Sequence, residues 1–73
     1  MSYYRNLGSN SSVVAYEYGA DFIRIQFETG NPYTYSYSGG AGRNNVERMK
    51  QLADYGQGLG GYVQRHVRDL YDR

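Results

Sequence analysis

Apolar and polar residues alternate most cleanly from Phe22 to Glu28, where Ile23, Ile25 and Phe27 point one way and Arg24, Gln26 and Glu28 the other. A period of two over seven residues predicts a half-buried strand. Before it, SVVAYEY (Ser12 to Tyr18) is rich in β-branched and aromatic residues and ends at the turn formers Gly19-Ala20-Asp21, so it reads as another strand. After it, Thr29-Gly30-Asn31 makes a short hairpin loop, Pro32 stands where a strand begins, and Tyr33 to Tyr37 forms a third. Short turns between three strands predict an antiparallel meander, which needs one face covered.

The period then changes. SGGAGR (Ser38 to Arg43) is too glycine-rich for strand or helix and reads as a flexible crossover. Asn44 with Glu47 three residues on resembles a capping box, and the helix it opens runs to about Tyr55 and stops at Gly56. On a wheel, Val46, Met49, Leu52 and Ala53 share an arc opposite Glu47, Lys50, Gln51 and Asp54. Gln57 to Gly61 is a second joint, and Tyr62 to Tyr71 a second helix whose buried stripe is Val63, Val67, Leu70 and Tyr71. Met1 to Ser11 has no period and reads as a flexible lead-in to a single domain over 12–73. The predicted fold is α+β: a three-stranded meander with two C-terminal helices packed on one face, in the order β-β-β-α-α.

Facing decides what the tyrosines do. If Ile23, Ile25 and Phe27 meet the helices, either Tyr33, Tyr35 and Tyr37 or Thr34, Ser36 and Ser38 must join them. Burying unpaired hydroxyls costs about 1–3 kcal/mol each. The rings are therefore expected inside, at least by their bodies, with Tyr37 the exception whose hydroxyl reaches solvent or a ligand. On the first strand Val14 and Tyr16 match the core face and Ala15 and Glu17 the wet one, although Val13 argues for a shifted register.

Composition narrows the chemistry. Seventy-three residues give one core, and a chain of this size hides only about 60 % of its unfolded surface. The absence of cysteine excludes disulfides and thiolate metal sites, and one histidine leaves little for a catalytic triad or a zinc site, so no enzyme activity, metal or cofactor is expected. Apolar runs are too short to span a bilayer, so no membrane association and a cytoplasmic location are expected. A net charge of +1 gives no strong overall field, so nucleic-acid affinity would need a local patch. Arg65 and Arg68 share a face of the last helix, while Arg43, Arg48 and Lys50 lie on or near the preceding one. Together with tyrosine these are the ingredients of phosphate contact plus stacking, unless Asp69, Asp72 and Glu47 neutralise them.

SSVVAY, then FETG followed by YTY, and finally GGYVQRHVRDLY resemble the KTSC domain, a short module at the C-terminus of some lysyl-tRNA synthetases and in stand-alone bacterial and phage proteins. The resemblance spans most of Ser11 to Tyr71. Tyr33 and Tyr35 occupy its Tyr-x-Tyr; Tyr62, Val63, Val67, Arg68 and Tyr71 occupy its terminal pattern. The link SYSGGAGRNN departs from the family's short Pro-containing connection. The resemblance implies a domain of undefined function for which RNA binding has been suggested. The expected function is thus a non-enzymatic module binding RNA or single-stranded nucleic acid through Tyr37, Arg43, Tyr62, Arg65 and Arg68. The alternative is a protein-interaction module or phage-type accessory factor that docks on a host protein or self-associates.

Overall fold

The computed structural model describes residues 1–8 and 11–72. Its order is β1 (Ser2–Tyr3), β2 (Val13–Tyr18), β3 (Phe22–Phe27), β4 (Tyr33–Ser36), α1 (Gly42–Tyr55) and α2 (Leu59–Tyr62), the last continuing as a π-helical turn over Val63–Val67. The strands form one antiparallel sheet in chain order. The small α+β architecture is as expected, but the sheet has four strands where three were predicted. The addition comes from the segment read as a lead-in: two residues of β1 pair with β2, and Tyr4 is 6 % exposed in the core. No hydrophobic period can be seen in a strand that short.

A bulge sets the facing of β2. Val13 pairs with Phe27 and Ala15 with Gln26, so Val14 is the extra residue. Val14 is consequently 39 % exposed and Val13 only 3 %, which corrects the expectation that Val14 faced the core. Beyond the bulge, Tyr16 opposes Ile25 and Tyr18 opposes Ile23, putting both phenols on the core side. On β4, Tyr35 opposes Ile23 and Tyr33 opposes Ile25. Tyr35 is 1 % exposed, whereas Tyr33 lies near the sheet edge, its ring 5.9 Å from Phe27 and 4.7 Å from Tyr71. The rings turn inward as a set, and their burial falls off toward both ends.

The helices cover that same side. α1 buries Val46, Met49 and Ala53, and it ends at Gly56, whose φ of 89° is the left-handed cap and whose N–H donates to the Leu52 carbonyl at 2.9 Å. Its start differs from the predicted cap at Asn44. The helix begins at Gly42 behind a buried Ala41, no side chain caps it, and the Asn45 amide donates to the Ala41 carbonyl at 2.8 Å. The C-terminal helix also begins early, because Leu59 is fully buried and its N–H donates to the Tyr4 hydroxyl at 3.2 Å. It ends at Val67, so Leu70, expected in the buried stripe, is instead 37 % exposed. The chain then returns to the sheet edge, where the Asp72 N–H donates to the Thr34 carbonyl at 2.7 Å.

Candidate nucleic-acid interface

Arg43, Glu47, Lys50 and Asp54 recur every three to four residues and form one ridge of α1. Tyr37, leaving β4, lies against this ridge. Its hydroxyl donates to Glu47 Oε2 at 2.5 Å, and its ring has the Arg43 guanidinium 5.7 Å and Lys50 Nζ 5.6 Å from its centroid. Lys50 also pairs with Glu47 at 2.7 Å and donates to the Ala20 carbonyl. Hydrogen bonds from Lys50 and Tyr37 hold the Glu47 carboxyl below its usual range, while the bond to Glu47 pushes the Tyr37 phenol up. Tyr37 is thus half-buried, its tip given to an acid rather than to solvent.

Tyr62 attaches elsewhere. Its hydroxyl donates to Asn45 Oδ1 at 2.6 Å, and its ring lies 4.5 Å from that of His66. Asn45 is two residues beyond Arg43, about 200° around the helix. The two sequence-predicted tyrosines therefore sit on different flanks of α1: Tyr37 keeps Arg43, and Tyr62 shares its helix with Arg65 and Arg68. Arg65 and Arg68 are exposed, Arg65 one turn beyond Tyr62 and Arg68 at the end of the π turn. No described contact joins the Arg43 group to the Arg65 and Arg68 group.

Glycines shape the surroundings. The segment Ser38 to Arg43 is expected to be a flexible crossover. In the fold it receives the C-terminal tail: a Cβ on Gly40 would lie 3.3 Å from the Leu70 carbonyl oxygen, and one on Gly39 would strike the Asp72 carboxylate at 2.1 Å. Gly58, Gly60 and Gly61 instead line a crevice of about 310 Å³ with Ser11, Ser12 and Gln64, a lining that holds no charged side chain among the described residues.

A second tyrosine cluster had no sequence signal, since its members are 36 and 38 residues apart. Tyr16 and Tyr18 donate to the two oxygens of Asp54, at 3.0 and 2.6 Å. Burial, and the bond to Asp54, raise the Tyr16 phenol; for Tyr18 the bond to Asp54 is the larger cause. Among the described residues, no group of three or more His, Cys, Asp or Glu is placed to hold a metal, and no helix is long and apolar enough to cross a membrane. No family model matches the chain, and neither the curated proteins nor the solved structures compared with it gave a match.

Proposed function

We propose that this chain is a non-enzymatic, KTSC-like binding domain that engages the phosphates of RNA or single-stranded nucleic acid through arginines on α1 and the C-terminal helix. One observation carries this reading. Arg43, Arg48, Arg65 and Arg68 are all exposed, and among the described residues none of them forms an ion pair. Three of the chain's seven acids are engaged elsewhere: Glu47 by Lys50 and Tyr37, Glu17 by Arg24 at 3.2 Å, and Asp54 by two phenols. A guanidinium outside an ion pair is a ready hydrogen-bond donor to phosphate. The Tyr62–His66 ring pair beside Arg65 offers a stacking surface for an unpaired base.

The test is fluorescence anisotropy with labelled single-stranded RNA and DNA between about 50 and 200 mM salt. Affinity should fall steeply with salt, and Arg65→Gln or Arg68→Gln should each flatten the log–log slope by about 0.7. Absence of binding at the lowest salt removes the proposal. A protein-docking role is the second reading, favoured by exposed apolar side chains such as Tyr3 at 85 %, Tyr55 at 63 % and Leu7 at 55 %. Sedimentation and partner capture address it: a strictly monomeric chain that retains no partner argues against it.

A further inference from the structure

Beside β1 an open pocket of about 250 Å³ is lined by Ser2, Tyr16, Glu17, Tyr18 and Asp54. Residues 16 and 18 lie two apart on one face of β2, so their rings stack, with centroids 6.2 Å apart and planes inclined by 18°. Both hydroxyls converge on Asp54, one on each oxygen. Two donors fix the carboxylate's orientation yet leave half of its roughly four lone-pair positions unused.

The neighbouring cations are committed to other acceptors. The Arg5 guanidinium donates to the main-chain oxygen of Asp54, not to its carboxylate. Lys50 pairs with Glu47 and donates to Ala20, while its ammonium lies 5.3 Å from the Tyr18 ring centroid. Glu17 is paired with Arg24 and with the amino terminus. Among the described residues, the Asp54 carboxylate has no ion pair. Tyr18 remains 43 % exposed, so ring surface and carboxylate are reachable together.

We propose that the Tyr16–Tyr18–Asp54 pocket is a recognition site for a guanidinium group, presented by an arginine side chain of another protein or of a second copy of this chain. A guanidinium is planar and weakly hydrated; it can fork onto the open lone pairs of Asp54 while lying against a phenol ring. An ammonium is a compact, strongly hydrated point charge and uses this combination less well. The site is separate from the arginine surface proposed for nucleic acid, so either can fail without the other.

The experiment is an NMR titration of the full chain with N-acetylarginine methylamide, following the ring resonances of Tyr16 and Tyr18, with the citrulline and lysine analogues as comparisons. The arginine probe should give saturable shifts in about the millimolar range. Citrulline, which keeps the shape and loses the charge, should give none. Asp54→Asn should weaken binding about fivefold, the upper end of the scale for one exposed charge pair. If that variant loses spectral dispersion, Tyr18→Phe keeps both ring and carboxylate and should weaken binding about twofold, the scale of losing part of one hydrogen bond's worth of orientation. Shifts by citrulline equal to those by arginine, undiminished binding in the folded variant, or no saturation overturns the proposal. A lysine probe that binds as well as arginine overturns the choice of guanidinium. A dilution series without probe separates the sources. Concentration-dependent shifts of the same resonances, absent from Asp54→Asn, identify a second copy; their absence while the probe binds identifies another protein.

Discussion

Burial holds the Tyr35 phenol neutral, with its pKa pushed up to about 12 from an ordinary 10.0. Below pH 10 the phenol is protonated in both folded and unfolded chains, and its contribution to stability is complete. As pH rises from about 10 toward 12 the unfolded chain ionises first, so that contribution is lost, up to about 2–3 kcal/mol. Urea midpoints measured across this window should fall in the wild type, and Tyr35→Phe should remove that part of the fall. Glu47 has the opposite sign: its carboxyl is held low, so its contribution exists above the ordinary value of 4.5 and fades as pH drops through the folded value. The inward placement of Tyr35 was legible because a two-residue period links it to Ile23 across the hairpin. The pairing of Tyr16 and Tyr18 with Asp54 was not, since it depends on which turn of α1 passes over β2.

Among the elements, α1 shows where local rules hold and where packing overrides them. Its end at Gly56 follows from the left-handed cap, and an alanine there would meet strain at φ 89° as well as Arg5 Cβ at 2.7 Å. Gly56→Ala should therefore destabilise the fold by about 1–2 kcal/mol, measured by chemical denaturation. Its beginning departs from the Asn44 motif because Ala41 is packed in the core and Asn45 ties back to it. The early start of the C-terminal helix has a similar origin. A glycine-flanked leucine looks like a hinge in the sequence, but Leu59 fills the core, and Leu59→Ala should cost about 2–5 kcal/mol in the same assay. The π turn was not legible either, since nothing in VQRHV distinguishes it from an α-helix.

Across the whole molecule, the charges are sorted more than the net value of +1 suggests. Asp54 is spent on phenols, Glu47 on Lys50 and Glu17 on Arg24, while Arg43, Arg48, Arg65 and Arg68 stand on the outer helical surface. Composition showed the near balance but not the sorting, because partners are chosen by the fold. The bond from the Leu59 N–H to the Tyr4 hydroxyl joins the beginning of the chain to its last helix. During synthesis, Tyr4 leaves the ribosome long before residue 59 does. The emerging sheet must therefore wait with its inner side around Tyr4 uncovered, and newly made chains are most vulnerable to proteases and to one another until the final helix has cleared the exit tunnel.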